Sequence, residues 1–166
     1  MRKIASISFA LLLGGCATAY KPDGLSGGFS ETQIDTNVFR VSFRGNGSTR
    51  IERAEELALL RSAELTLKNG FTHFVIIDGR TREQLSTYTT PTQTYTTANA
   101  TAYGNSANGA AHTTTYGGQT FLISAPSTTN TIMCFNGKPN IQAFIYDAKF
   151  ICNSLGQKHG VVCGAQ

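Results

Sequence analysis

The sequence has few charged residues and no long apolar run. Charged residues make up 14% of the 166 positions, against about 25% in an average soluble domain. No stretch of about 18 apolar residues occurs, which excludes a transmembrane helix by length. A heptad repeat and a long block of like charges are also absent, so a coiled coil and an acidic tail are excluded. We expect one compact domain with accessory segments.

Motifs for catalysis and metal binding are missing as well. His73, His112 and His159 are far apart in the sequence and lack the accompanying Cys or carboxylate spacing of a metal site. Paired carboxylates and a serine nucleophile elbow are absent. The basic residues are scattered rather than clustered, which argues against a nucleic-acid partner. We therefore predict a protein that is not an enzyme and that has no catalytic residues, no cofactor and no metal.

The N-terminal residues have the pattern of a secretory signal. Two basic residues precede an apolar run, and small residues follow it. Leu13, Gly14, Gly15 and Cys16 resemble a bacterial lipobox, in which a leucine and two small residues precede a cysteine. The resemblance implies that residues 1–15 are a lipoprotein signal peptide and that Cys16 is lipidated. The alternatives are an ordinary signal peptide with an incidental cysteine and an amphipathic start of a cytosolic protein.

Lipidation of Cys16 makes the membrane a partner of the protein. One acyl chain holds a protein only marginally, whereas two or more chains retain it stably. The residue after the cysteine is Ala17 and not an aspartate. By the sorting pattern that the lipobox resemblance implies, we expect export to the outer membrane, with the domain on its periplasmic side. Cleavage removes two of the 14 basic residues and none of the 10 acidic ones, which lowers the formal net charge from +4 to +2.

Composition divides the rest of the chain into a tether, a domain and an insertion. Residues 16–37 are rich in Gly, Ser and Thr, which predicts a lipidated tether. Residues 84–137 contain no Asp, Glu, Lys or Arg. Within them, residues 84–118 are rich in Thr, Tyr, Gly and Asn, with too little apolar surface to offset chain entropy. We predict a flexible insertion there; the alternative is an interaction segment in which tyrosines and polar residues stack as β-structure.

Residues 38–83 and 119–166 predict a single α+β domain. Apolar and polar residues alternate over 39–43, which indicates a half-buried strand whose basic side faces water. Thr49 and Glu52 form a capping-box pattern, so a helix is expected from about residue 50 to residue 68. The apolar run over residues 71–77 predicts a central strand, which the helical connection allows to lie parallel to the first.

The C-terminal part predicts two strands and a closing helix. Short strands are expected over 120–124 and 131–135, separated by a turn at Pro126. Pro139 suits the first turn of a helix with a clean apolar stripe, and Gly156 closes it. The predicted fold class is α+β, a small two-layer sandwich of strand, helix, strand, low-complexity insertion, two strands and C-terminal helix.

Seven segments of the chain form a pattern together. They are Tyr20 to Pro22, Gly27 and Gly28 before Ser30 to Thr32, Phe39 to Phe43, Gly45 and Asn46, Ala58 to Thr66, Gly70 and Phe71, and Tyr146 to Ala148. This pattern resembles a family of small lipoproteins of gram-negative bacteria whose function is unassigned. The resemblance implies an envelope lipoprotein with a small α/β domain and supplies no catalytic residues.

Three cysteines remain once Cys16 is assigned to lipid. Outside the cytosol thiols tend to be oxidised, and three cysteines allow three pairings between which sequence does not choose. Cys152 lies on the apolar stripe of the last helix, and the tail after Gly156 can fold back to bring Cys163 beside Cys152 or Cys134. We favour a disulfide between Cys134 and Cys163; three unpaired thiols are the alternative.

A candidate anion-binding site lies where the first strand passes into the first helix. Arg44, Asn46, Ser48 and Thr49 surround backbone amides that can bind a phosphate or carboxylate at a helix N-terminus. Ordinary capping of the helix by small polar residues is the alternative.

Two charged residues interrupt the leucine-rich arc of the first helix. Arg61 and Glu64 are three positions apart, where they pair with each other at a solvated edge or present charge to a ligand.

These features predict a lipid-anchored bacterial cell-envelope lipoprotein that acts as a structural or interaction module. Its partner would be an envelope protein or peptidoglycan, contacted by the sheet face or by the uncharged Thr and Tyr segment. The alternative is an enzyme or a small-anion-binding protein with an unrecognised site. Such a site would show as a deep pocket lined by Arg44, Arg61, Glu64 or His73.

Overall fold

The computed structural model describes residues 17–164. The signal peptide over residues 1–15 and the lipobox residues Leu13, Gly14, Gly15 and Cys16 lie outside the described residues. The chain divides into two compact units, and the second comprises Gln84–Ser124. The first unit contains the segments on either side of it, up to Glu83 and from Ala125 onward.

The fold is mixed, with mostly antiparallel strands and two helices, which agrees with the predicted α+β class. In chain order the elements are β1 (Gly28–Asp35), β2 (Val38–Arg44), α1 (Ile51–Lys68), β3 (His73–Thr89), β4 (Gln93–Tyr103), β5 (Ser106–Tyr116), β6 (Thr120–Phe135), β7 (Tyr146–Asp147) and α2 (Ala148–His159).

One sheet has the strand order β1-β2-β6-β3-β7. β2 pairs antiparallel with β1 on one side and with β6 on the other. β3 is antiparallel to β6 as well, because Thr72 N donates to Phe135 O while Thr81 lies beside Thr128. β2 and β3 therefore run in the same direction, as the helical connection between them predicted, and β6 lies between them.

The core lies between this sheet and α1, with α2 packed on α1. Alternate residues of β2 point to the helix and are buried, whereas Arg40 and Arg44 are exposed on the opposite face. α1 buries its small and leucine positions against these strands. The largest fully buried apolar side chains are Phe43, Phe74, Leu57, Leu60, Ile132 and Val41.

The predicted tether over residues 16–37 is wrong for most of its length. Residues 28–35 form strand β1, and Phe29 is buried in the core. Thr18 is 1% exposed, and Tyr20 packs against Phe29 with ring centroids 4.9 Å apart. Gly- and Ser-rich composition indicated a flexible spacer, but the apolar and hydroxyl side chains between those residues dock on the domain.

The strands predicted over 120–124 and 131–135 form one continuous strand, β6. The turn predicted at Pro126 is wrong. The Pro126 side chain is buried and its carbonyl accepts a hydrogen bond of 2.7 Å from Gly45 N. Proline is tolerated in a strand where its missing N–H is not required by a neighbour.

The last helix begins later and ends later than predicted. α2 starts at Ala148 rather than near Pro139, because Asp147 caps it by accepting a hydrogen bond of 2.9 Å from Phe150 N. Gly156 does not close the helix, which continues to His159 and is capped by Gly160. Gly156 instead provides space, since an added Cβ would lie 2.7 Å from Val161 O.

The second unit is not irregular, so the insertion predicted over residues 84–118 is wrong in its backbone structure. β4 and β5 pair in register along their whole length as an antiparallel hairpin. Gly104 and Asn105 form its two-residue loop, and Gly104 has a φ of 59°, as a type II′ turn requires at its first central position. The alternative of stacked β-structure is the one that agrees with the fold.

Candidate functional site

Arg61 and Glu64 are buried, and with Tyr20 and Glu31 they form what we call the Arg61 cluster. Arg61 donates from Nε and Nη2 to the two carboxylate oxygens of Glu31 at 2.7 and 2.9 Å. Its Nη1 donates to Glu64 Oε2, which also accepts from the Tyr20 hydroxyl at 2.6 Å. The guanidinium lies 4.0 Å from the centroid of the Phe29 ring, a cation–π contact.

Burial and hydrogen bonds within the cluster shift the pKa values of Tyr20, Arg61 and Glu64. Burial raises the pKa of Tyr20, and the hydrogen bond to Glu64 raises it further. Burial alone would lower the pKa of Arg61, but its hydrogen bonds to Glu31 and Glu64 outweigh that effect and raise it. Burial likewise works against ionised Glu64, yet hydrogen bonds from Tyr20, Gly164 N and Arg61 lower its pKa. Glu64 is thus held as a carboxylate.

The C-terminal tail closes the cluster, and a disulfide holds the tail. Cys152 and Cys163 form this disulfide, with their Cα atoms 5.9 Å apart. The favoured pairing of Cys134 with Cys163 is therefore wrong. Cys134 is a free, buried thiol on β6, 3.4 Å from Thr66 Oγ1, and burial raises its pKa. The next residue after the disulfide, Gly164, donates its N–H to Glu64 Oε1 at 3.0 Å.

A cavity of about 340 Å³ lies beside the cluster. It is lined by Arg61, Glu64, Leu67, Lys68, Cys163 and Gly164. Arg61 and Glu64 use their polar atoms on one another and on neighbours, so Lys68 supplies the cationic group that the cluster itself does not engage. Sequence reasoning singled out Arg61 and Glu64 but missed Tyr20 and Glu31. Both missed residues lie in segments of the pattern from which a lipoprotein family was expected, and that pattern was the available signal.

The predicted anion-binding residues come together, but around a side chain of the protein itself. Thr18 Oγ1 accepts a hydrogen bond of 2.9 Å from Asn46 N, and Thr18 N donates to Thr49 Oγ1 at 3.1 Å. Arg44 is engaged by Asp23 and by Gly24 O. Ser48 N donates to Asn46 Oδ1 at 3.0 Å.

The capping-box prediction at the start of α1 is also wrong. The N-cap of α1 is Arg50, which makes no side-chain capping bond. Thr49 turns inward instead and is 6% exposed, because its hydroxyl bonds Thr18. The loop therefore serves to fix the N-terminal segment of the chain on the domain.

The open face of the sheet carries a second, more polar cavity of about 390 Å³. Arg40, Arg80 and Arg82 line it, together with Asp78, Ser127 and Thr129. Arg80 pairs with Asp78 at 3.3 Å, and the two side chains are 64% and 50% exposed. Exposed pairs of this kind contribute little to stability. The face therefore presents basic groups above a floor of small hydroxyl residues.

The hairpin of the second unit has two chemically different faces. One face combines four threonines with alanines and a glycine, and its Thr94–Thr115 and Thr96–Thr113 hydroxyls are 3.3 and 3.0 Å apart. The other face is polar and carries exposed tyrosines near both ends. These are Tyr95, Tyr103 and Tyr116, of which the first and last meet edge to face at 6.5 Å.

The three histidines have different neighbours. His73 bonds the neighbouring Thr72 hydroxyl, and His112 lies on exposed β5. His159 Nε2 lies 2.8 Å from Glu56 Oε2 and its Nδ1 lies 3.2 Å from Arg53 Nη1. Because a guanidinium only donates, Nδ1 must accept there and Nε2 carries the proton given to Glu56. This contact joins α2 to α1.

Comparisons with known proteins give no relative. No protein family, no curated protein and no solved structure matches the chain. Across residues 17–164, no group of three or more His, Cys, Asp and Glu side chains is placed to hold a metal ion. The two helices in that range are too short or too polar to span a membrane.

Proposed function

We propose that the protein is a lipid-anchored lipoprotein of the gram-negative cell envelope, located at the outer membrane, that acts as an interaction module without turnover. It would belong with the small envelope lipoproteins that its sequence resembles. Cys16 would carry the acyl chains, and the second unit would contact an envelope protein or peptidoglycan.

The observation that carries this proposal is the β4–β5 hairpin. Every residue of both strands is exposed apart from one that is half-buried. Neither strand contains Asp, Glu, Lys or Arg. Exposed tyrosines with two rotatable bonds are efficient contact residues because they bury large area at a low entropic cost. An ordered, uncharged surface with such residues suits contact with a protein or a glycan.

The anchor is tested by labelled-palmitate incorporation followed by membrane fractionation. Wild-type protein should carry label and sediment with membranes, and Cys16→Ala should lose both properties. Cys134→Ala is the matched control, because it removes a buried free thiol and should keep the label. Label that persists in Cys16→Ala would refute the proposed anchor.

The interaction role is tested by shortening the second unit at a point where its strands meet. Thr90 N donates to Gln119 O at 2.9 Å, so residues 91–118 can be replaced by Asn-Gly to give a two-residue turn. The shortened protein should melt at the same temperature as the wild type and should fail to co-purify with the partner from solubilised envelopes. A triple Tyr→Ser variant at the three hairpin tyrosines separates side-chain contact from loss of the hairpin. Equal recovery of the partner with the shortened protein would contradict the role.

A second candidate function is binding of a small anion in the cavity beside the Arg61 cluster. Lys68 supports it, because it lines a cavity large enough for a small carboxylate. Phosphate or citrate should then raise the melting temperature of the wild type but not of Lys68→Gln, with Lys138→Gln as an exposed control. An identical response in the two variants would eliminate this candidate.

A further inference from the structure

The start of the folded domain lies unexpectedly close to the cysteine that the proposed function places in the membrane. One residue, Ala17, separates Cys16 from Thr18, and Thr18 is 1% exposed. Two residues of extended chain span at most about 7 Å. If Cys16 is acylated, the backbone of the lipid-bearing residue is therefore held within that reach of a buried residue of the domain.

Thr18 is fixed by hydrogen bonds at its hydroxyl and at its backbone N–H. Its hydroxyl donates to Ser26 O at 2.9 Å and accepts from Asn46 N, while its N–H donates to Thr49 Oγ1. Its Cγ2 lies against Gly27, where an added Cβ would approach Arg44 O to 2.2 Å. The segment is consequently a rigid attachment and not a spacer.

The same hydrogen bonds position a turn with an unusual residue at its tip. Gly27 N donates to Gly24 O, which closes the turn, and Arg44 Nη2 holds Gly24 O from the other side. Leu25, inside this turn, is 109% exposed. A leucine held on a fixed turn with no protein contact is suited to enter an apolar phase, because it loses little entropy on doing so.

The charges around this end are compatible with phospholipid headgroups. Lys21, Arg44 and Arg50 are exposed there. Arg44 pairs with Asp23 and Arg50 pairs with Glu52, so Lys21 leaves an excess of one positive charge. Basic side chains near a membrane surface are attracted to anionic lipid. The chain that leaves the described residues at Ala17, the exposed leucine and the basic excess thus occur at one end of the first unit.

We propose that this end of the domain lies directly on the lipid bilayer, with Leu25 inserted at the boundary between the headgroups and the acyl chains. The end is formed by Leu25 with Lys21, Arg44 and Arg50 around Thr18. This inference rests on the proposed lipidation of Cys16. It adds that acylation fixes which side of the domain faces the membrane. The opposite end of the sheet, where Asp147 of β7 lies opposite His73 of β3 in the strand register, then points away from the membrane.

The chain has no tryptophan, so a single introduced tryptophan reports its own surroundings. Leu25→Trp places the probe at the proposed insertion point. Phe150→Trp is the control, because Phe150 is 68% exposed in the first turn of α2, at the end of the sheet where β2 begins. That end is about 20 Å from Arg44 along β2. Both variants are made in the acylated full-length protein and bound to vesicles of brominated phosphatidylethanolamine and phosphatidylglycerol.

The bromolipids should quench the Leu25→Trp fluorescence at least about twofold more than that of Phe150→Trp, since quenching requires insertion to acyl-chain depth. Insertion of a Gly-Ser linker of about ten residues between Ala17 and Thr18 should lower this quenching to the control value.

The failures of the two proposals are distinguishable. If the protein floats with the vesicles but the two variants are quenched equally, the docking inference is overturned while the anchor stands. If palmitate labelling and flotation both fail, the anchor is refuted and the inference with it. Quenching that the linker leaves unchanged would contradict the importance of the short connection to Cys16.

Discussion

The attachment of Thr18 makes a quantitative prediction about the substitution Thr18→Val. Valine has the shape of threonine but lacks the hydroxyl, so the substitution removes hydrogen bonds without leaving a cavity. The Thr18 hydroxyl donates to Ser26 O and accepts from Asn46 N, both at 2.9 Å, and it shares a third contact of 3.0 Å with Thr49 Oγ1. The Ser26 carbonyl loses this partner, whereas Asn46 N keeps Thr49 Oγ1 as a second acceptor at 3.2 Å.

The expected loss follows from these contacts. A neutral hydrogen bond contributes about 0.5–1.5 kcal/mol. Loss of the bond to Ser26 O and of the contacts with Asn46 N and Thr49, which keep other partners, gives a decrease of about 1–2 kcal/mol in the free energy of unfolding. The Thr49 hydroxyl limits the loss, because it can donate to Asn46 Oδ1 at 3.0 Å instead.

Urea denaturation of the mature chain carrying Cys16→Ser measures this difference without acyl chains. Thr32→Val is the matched control, because Thr32 is exposed on β1 and its substitution should change stability by less than about 0.5 kcal/mol. A Thr18→Val protein that is as stable as the Thr32→Val protein would refute the reasoning that the N-terminal segment is locked to the domain. It would also indicate that the segment before β1 is a tether, as the sequence predicted.

Three further predictions concern the buried cluster and the tail. Glu64→Gln should lower the free energy of unfolding by about 3 kcal/mol at neutral pH, because it leaves buried Arg61 with a single carboxylate. The folded-state pKa of Glu64 is below its ordinary value of 4.5, so the wild type should lose stability as pH falls below about 4.5, and the variant should lose less. Cys163→Ser should cost about 3 kcal/mol, the value for a loop with a sequence separation of 11. Gly156→Ala should displace the tail, because its Cβ would meet Val161 O at 2.7 Å, and hydrogen exchange at Gly164 should become faster.

Each of these predictions can be contradicted by one result. Chemical denaturation at several pH values measures the acid sensitivity of the wild type and of Glu64→Gln. Equal sensitivity of the two would mean that the Glu64 carboxylate does not carry the charge assigned to it. Cys163→Ser should be compared with Cys134→Ser, which leaves the disulfide intact; equal destabilisation would remove the disulfide as the cause. Unchanged hydrogen exchange at the Gly164 amide in Gly156→Ala would show that the added methyl group does not displace the tail.

Helix α1 was predictable from sequence, while the strand and helix that follow the insertion were not. The limits of α1 depend on local signals, namely its apolar arc and the Asn69-Gly70 ending. The turn at Pro126 and the helix start at Pro139 were also local interpretations, and both failed because a tertiary contact overrode them. Pro126 is buried beside Gly45, and the capping bond of Asp147 replaces the start at Pro139.

The second unit and the cysteines failed for different physical reasons. Disorder was inferred from the shortage of apolar area, but a hairpin also gains a complete backbone ladder and cross-strand threonine contacts such as Thr96 with Thr113. A disulfide pairing depends on which Cβ atoms the fold brings together, and sequence spacing cannot supply that. In the Arg61 cluster, Tyr20 is 44 residues from Glu64, so no local pattern could have joined them.

The burial of Thr18 also bears on the order of events in the proposed export. The bonds that hold Thr18 involve Ser26, Asn46 and Thr49, none of which the proposed processing at Cys16 would modify. Acylation and cleavage would change the chain only up to residue 16, and they would alter no hydrogen bond of the described domain. If Cys16 is processed as proposed, the cysteine is only two positions from a buried residue, so we expect processing to precede the docking of Thr18 or Thr18 to detach transiently. A Thr18→Val protein would then be acylated at least as fast as the wild type.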